Sequence, residues 1–210
     1  MYKVENNITV KRQPWNKGKL IGQRPPLKLH EVWATIRIRL QLSKDKKELA
    51  LFDTAIDSKL RNCDLIKLRV SDVSQMGRVF SRAMVVQQKT QIPVQFEITK
   101  STRDSIQDYL SSSDIRQDDY LFKSRFSSSA HLSTRQYARI VKKWVSSIGL
   151  DPSVYATHSM RRTKPSLIYK RTKNLRAVQL LLGHTKLEST VKYLGVEVED
   201  ALEIAEQTDV

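Results

Sequence analysis

The stretch that decides the reading is Thr157-His158-Ser159-Met160-Arg161-Arg162-Thr163, followed by Leu182-Gly183-His184-Thr185 and then Thr190-Val191-Lys192-Tyr193-Leu194. His158 and Arg161 lie three residues apart at an expected helix start, so they share one face beside free backbone N–H groups that favour anions. Gly183 is a natural helix stop. It sets His184 just past a helix end, with Tyr193 nine residues further on. Taken singly, each has an ordinary structural explanation. His158 and Arg161 can cap a helix, Gly183-His184 can be a plain terminus, and Tyr193 can be a half-buried core residue.

Working outward, the apolar residues take helical spacing from Leu29 through Val32, Ile36, Leu40 and Leu42, and again from Leu49 to Leu60. Leu65, Ile66 and Leu68 give a third short helix ending near Val70-Ser71-Asp72. The period then changes. Val79, Ala83 and Val85, then Val94, Phe96 and Ile98, read as two strands of a β-hairpin with Gln88-Lys89-Thr90-Gln91 between them, although the usual turn glycine is missing. Pro93 suits the start of the second strand. Thr99 to Leu110 is helical, with Ser101 or Thr102 as cap. Residues 111–133 form a loop carrying Tyr120-Leu121-Phe122, and a helix capped by Ser133 or Thr134 runs to Ile148 before Gly149. Helices follow near 160–171, 174–182 and 186–193, and an acidic one over 197–207. The expected fold class is α+β, mainly α-helical with a small antiparallel sheet.

The charge points to a polyanion. The chain of 210 residues has 37 Lys+Arg against 22 Asp+Glu, a net charge of +15. Six of the acids lie between Leu194 and Val210; with those set aside, 37 basic residues face 16 acids, a net +21 over residues 1–193. Such a field concentrates nucleic acid, although many protein classes are basic. Residues 1–28 hold seven Lys/Arg, one acid and no apolar periodicity, and read as an extended basic arm ahead of a single domain over 29–210. Cys63 is the one cysteine, which excludes an internal disulfide and a cysteine-clustered zinc site. There is no Gly-x-x-x-x-Gly-Lys-Ser/Thr phosphate loop, no metal-ligand spacing and no Gly-x-Ser-x-Gly elbow, so neither a metal nor a cofactor is expected. No apolar run approaches a membrane span of ~18 residues; the expected setting is the cytoplasm, on the nucleoid when bound to DNA.

The ordered set is more specific than its parts. Lys59-Leu60-Arg61-Asn62-Cys63-Asp64, then Gln88-Lys89-Thr90, then the two C-terminal motifs, resembles the catalytic domain of the tyrosine recombinases, or phage-integrase family, over about residues 30–207. The resemblance implies a fold of that type and a DNA recombinase working through a 3′-phosphotyrosine. It makes Tyr193 the nucleophile, Arg61 and Arg161 the pair on the scissile phosphate, Lys89 the general acid, His158 an acid/base and His184 a phosphate donor. Asp64 falls at the acidic position that supports the site. Two guanidiniums suit the charge built on non-bridging oxygens, and a covalent phosphotyrosyl bond needs neither ATP nor metal.

Two positions depart from the pattern. Lys59 stands where the family has glycine, and Lys164-Pro165-Ser166 replaces apolar or small residues. Pro165 would then sit in a first helical turn, which puts the helix start near Arg162–Thr163. Only the basic segment precedes the catalytic region, so Lys11, Arg12, Lys17, Lys19, Arg24 and, later in the chain, Arg162 are expected to contact DNA. The implied partners are double-stranded DNA, further copies of the chain in a dimer or tetramer, and an accessory DNA-bending or clamp protein. Two rival functions stay open here: a type IB topoisomerase-like relaxing enzyme, and a non-catalytic DNA-binding accessory protein.

Overall fold

In the computed structural model, residues 24–28, 33–124, 129–195 and Glu206 are described. Lys11, Arg12, Lys17 and Lys19 lie outside them, as does the expected acidic helix apart from Glu206. Helices α1 (Ala34–Leu42) and α2 (Lys46–Ser58) lead into two single turns, α3 (Asn62–Leu65) and α4 (Val70–Val73). Strands β1 (Ser74–Gln75), β2 (Arg78–Val79), β3 (Arg82–Val86) and β4 (Pro93–Glu97) come next. Helices α5 (Lys100–Ser111), α6 (Thr134–Ser147), α7 (Thr157–Thr172), α8 (Leu175–Leu182) and α9 (Leu187–Leu194) complete the described fold. The fold class is the α+β arrangement expected.

Helix α2 is the central element. Its residues from Ala50 to Ser58 are all buried, and it packs against α1, α5 and α7. Phe52 meets Trp144 of α6 edge-on at 5.3 Å. Glu48, 7% exposed, is held by the Trp144 indole N–H at 2.8 Å and by Lys143 at 2.8 Å, so both of its carboxylate oxygens are paired. Helix α6 begins with the Ser133–Gln136 capping box and buries Tyr137, Val141, Trp144 and Val145. The loop before it is stitched to the α3–α4 link through Leu121 N–H to the Leu68 carbonyl at 2.7 Å, and Leu121 and Phe122 are fully buried.

Four details differ from the sequence reading. There are two antiparallel pairs, β1–β2 and β3–β4. Met76 (φ 47°) and Gly77 (φ 76°) both take positive φ, the geometry of a two-residue I′ hairpin, and this detaches Val79 from Ala83 and Val85. The third short helix is two turns separated by an extended Arg69. The α5 cap is Thr99, whose hydroxyl donates to Asp57 rather than capping its own helix. Helix α7 starts at Thr157, with Pro165 well inside. The proline removes one i→i−4 hydrogen bond, yet the helix continues because the residues around it, Met160 to Thr163 and Pro165 itself, are buried.

Residues 24–28 pack along α7. Leu27 is 3% exposed and joins the main core, and its N–H donates to Thr163 Oγ1 at 3.0 Å. Arg162 donates to the Arg24 carbonyl at 2.6 Å, and the exposed Arg24 side chain donates to the Ser153 carbonyl.

Candidate active site

Arg61 and Arg161 depend on one turn. Helix α2 ends at Ser58, and Lys59 closes it in the left-handed region (φ 55°, ψ 18°), a conformation glycine adopts freely and lysine at a cost of about 1–3 kcal/mol. The chain then extends, and Arg61 opens α3. The Lys59 carbonyl accepts the Arg161 Nε–H at 2.8 Å, while Arg161 Nη2 donates to the Leu182 carbonyl at 3.0 Å. Arg161 is 6% exposed, and its desolvation lowers its pKa below the ordinary guanidinium value.

The two departures from the family pattern meet in one network beneath that turn. Lys59 is 1% exposed; its Nζ lies 2.7 Å from Glu97 and donates to the Asp57 carbonyl at 2.6 Å. Lys164 shares Glu97 with it, at 2.5 Å, and reaches the Asp57 carboxylate at 2.6 Å. The second Asp57 oxygen accepts from Thr99 N–H and from the Thr99 and Thr102 hydroxyls. Burial works to raise Asp57 and Glu97, but the lysines and, at Asp57, the hydroxyls outweigh it and leave both below their ordinary values. Lys59 itself is pushed down by burial. A lysine is tolerated at the glycine position because the Glu97 carboxylate and the Asp57 backbone carbonyl hold its ammonium.

Gly183 closes α8 at φ 64°, and a Cβ there would lie 2.5 Å from Val94 Cγ2. This close approach lets β4 press against the turn that presents His184. His184 Nδ1 lies 3.1 Å from the hydroxyl of the fully buried Thr190, which leaves the other ring nitrogen for a ligand. Burial, then the charges of Arg161 and Arg61, holds His184 down to about 4, so its ring is neutral at pH 7. His158, the second residue of α7, is lowered by burial and then by Arg161, Arg162 and Arg61.

Tyr193 sits on α9 against a small apolar cluster of Tyr169, Val178 and Leu182, distinct from the main core. Its ring meets His184 edge-on at 5.5 Å, with the Arg161 and Arg162 guanidiniums 5.4 and 4.8 Å from its centre. The phenol oxygen is buried with no hydrogen-bond partner, and so is Arg162 Nε. Burial raises the phenol above its ordinary 10.0 despite those cations. An open cleft of about 470 Å³ lies over this group, lined among others by Arg61, Thr90, Arg162, His184, Ser189 and Tyr193.

The structure therefore brings Arg61, Arg161, His184 and Tyr193 together, with His158 close enough in charge to feel all three nearby arginines. Lys89 stands exposed at the β3–β4 turn, where Thr90 rather than Lys89 lines the cleft. Asp64 is buried, and its Oδ1 accepts the Gln88 N–H at 2.9 Å, which ties the start of that turn to α3. Arg162, expected on DNA, is 8% exposed and packs on Tyr193.

Sequence reasoning missed Gln87, which is fully buried. Its side-chain oxygen accepts from Arg61 Nη1 and from Thr90 Oγ1 at 3.0 Å, and its amide donates to the Leu182 carbonyl at 3.1 Å. The signal was present, because Gln87 falls in phase with Ala83 and Val85 on one strand face. Among the described residues, no group of three or more His, Cys, Asp or Glu is placed to hold a metal, and no helix is long and apolar enough to cross a membrane.

Comparisons with known proteins show the family and the fold. The family described as "Phage integrase family" matches residues 29–199. A "Probable integrase/recombinase YoeC" of Bacillus subtilis is 30% identical over 156 residues, 74% of this chain and 81% of that protein. A "Tyrosine recombinase XerD" of Brucella suis is 30% identical over 151 residues, 70% of this chain but 47% of its own length. The chain thus spans about half the length of the XerD relatives it matches. Among solved structures, a XerA recombinase gives a TM-score of 0.67 at 22% identity, over 89% of this chain and 65% of that one. A XerH recombinase bound to its difH substrate gives 0.66 at 15% identity, over 88% and 55%.

Proposed function

This chain belongs to the phage integrase family, and from that premise we propose that it is a tyrosine-type site-specific DNA recombinase. The observation that carries the proposal is the buried Tyr193 phenol, bracketed by Arg161, Arg162 and His184 at a cleft that Arg61 also lines. In the proposed reaction, Arg61 and Arg161 bind the non-bridging oxygens of a DNA phosphodiester. The Tyr193 oxygen attacks phosphorus, the bond to the 5′ oxygen breaks, and a 3′-phosphotyrosyl link forms. The 5′ oxygen takes a proton from Lys89, carried on the β3–β4 turn, and the phenol proton passes to a base. His158, whose lowered pKa keeps it neutral at pH 7, is the base we assign, with His184 donating to the phosphate. Attack by a 5′ hydroxyl of a second strand reverses the steps and completes exchange.

We assign residues 29–210 to this catalytic unit and the basic residues ahead of it, with exposed Arg24, to DNA contact. The proposed partners are double-stranded DNA, further copies of the chain, and a bending or clamp protein. The proposed setting is the cytoplasm. The test is strand exchange between two labelled duplexes carrying the flanks of the gene, run beside relaxation of a supercoiled plasmid lacking them. Site-dependent exchange is expected. Relaxation without exchange would move the assignment to a type IB topoisomerase-like enzyme, and salt-sensitive binding with neither would move it to an accessory protein.

A further inference from the structure

We infer that Gln87 is a positioning residue: it holds Arg61 through a neutral acceptor, which leaves the guanidinium charge open to a phosphate, and it locks the β3–β4 turn to the end of α8. The inference rests on reading Arg61 as a phosphate-binding group. Gln87 is fully buried, and its amide satisfies three neighbours at once. The orientation of the amide follows from those partners. Arg61 can only donate and the Leu182 carbonyl can only accept, so the oxygen faces Arg61 and the nitrogen faces Leu182. The same Leu182 carbonyl takes Arg161 Nη2 at 3.0 Å, and the next residue is Gly183, whose added Cβ would approach the Gln87 amide at 3.2 Å. One uncharged side chain thus ties Arg61, Arg161, the Gly183-His184 turn and the strand end two residues before Lys89.

The neutrality of that side chain matters. A carboxylate in this place would form a charge-assisted pair with Arg61 and compete with the phosphate for it. An amide fixes the fork and cancels none of its charge.

Two substitutions isolate the open charge on Arg61. Gln87→Glu keeps the volume and the acceptor for Arg61 but pairs the guanidinium charge, and it loses the N–H that the Leu182 carbonyl accepts. Gln87→Leu leaves the Arg61 charge unpaired but removes its acceptor as well as the tie between the turn and α8, so the two variants share the lost tie and differ in the charge open at Arg61. The first readout is thermal stabilisation by tungstate, an oxyanion that tests the open charge without any chemistry at Tyr193. Wild-type protein and Gln87→Leu are expected to gain melting temperature with tungstate, and Gln87→Glu to gain none. The second readout is the single-turnover rate of covalent DNA adduct formation, expected to fall about 10- to 100-fold in both variants. Affinity for DNA should stay within about twofold, since it rests chiefly on many phosphate contacts. On a duplex with a methylphosphonate at the scissile position, one negative charge is gone and the Gln87→Glu deficit should shrink, which a general folding defect would not do.

The inference is overturned if wild-type protein gains nothing from tungstate, if Gln87→Leu loses that gain as fully as Gln87→Glu, or if either variant cleaves at the wild-type rate. A wild type that takes up tungstate yet forms no adduct refutes the recombinase assignment instead. The tungstate contrast between the two variants then decides the role of Gln87 alone.

Discussion

Replacing Gly183 by alanine tests how tightly β4 is pressed against the turn that presents His184. Two costs are expected. Gly183 sits at φ 64°, where an L side chain loses about 1–2 kcal/mol. The new Cβ would also lie 2.5 Å from Val94 Cγ2, on a strand whose inner face is buried, and overpacking of that kind costs about 1–3 kcal/mol. The sum, about 2–5 kcal/mol, corresponds to a fall in melting temperature of roughly 4–20 °C for a domain of this size. Gly149 supplies the control. Its φ is 77°, yet a Cβ there meets nothing within 4 Å, so Gly149→Ala should incur only the backbone cost. Urea unfolding of the two variants measures the difference, with unchanged m-values licensing the comparison. The excess in Gly183→Ala is the contact with Val94, and adduct formation should fall with it because Gln87 and His184 move together. Equal losses in the two variants would refute the close approach of β4 to the turn.

Further expectations concern charge and pH. Thr190→Val removes the hydroxyl at His184 Nδ1 and should cost about 1–3 kcal/mol in urea unfolding, with slower adduct formation. Lys164→Met strips Asp57 and Glu97 of a shared cation; because Glu97 is 37% exposed, the expected loss is about 1–3 kcal/mol rather than the larger cost of a fully buried pair. The depressed Asp57 and Glu97 values mean this contribution is present above the ordinary carboxylate range and is lost as pH falls through the folded-state values, so the two proteins should converge in stability in acid. His184, held to about 4 against an ordinary 6.5, binds its proton more readily in the unfolded chain. Its effect is therefore to reduce stability as pH falls from 6.5 towards 4, and an NMR titration should find its ring neutral at pH 6.

Much of the fold could be read from spacing. The apolar stripe of α6, its Ser133 cap and its Gly149 stop were legible because one helix face packs on one core. The ends of α7 were not. Pro165 signals a helix start near Arg162–Thr163, and only tertiary burial of Arg161, Arg162 and Thr163 explains why the helix begins at Thr157, five residues before Arg162. The Met76-Gly77 hairpin was hidden because its first positive-φ residue is methionine. At the site, the charged and nucleophilic residues were recognisable by order and spacing. Their supports were not, because Asp57, Lys59, Glu97 and Lys164 come from α2, the α2 cap, β4 and α7, and no local pattern joins them. Gln87 is the clearest instance: a neutral residue beside a conspicuous lysine, noticed only once its partners are seen.

The most direct test of the central claim is covalent trapping with nicked duplexes drawn from the flanks of the gene, followed by peptide mapping of any adduct that survives SDS. A phosphotyrosyl peptide containing Tyr193, absent from the Tyr193→Phe protein, is the predicted result. An adduct that persists in Tyr193→Phe, or its absence from wild-type protein that binds the same duplexes, would contradict the assignment of Tyr193 as the nucleophile.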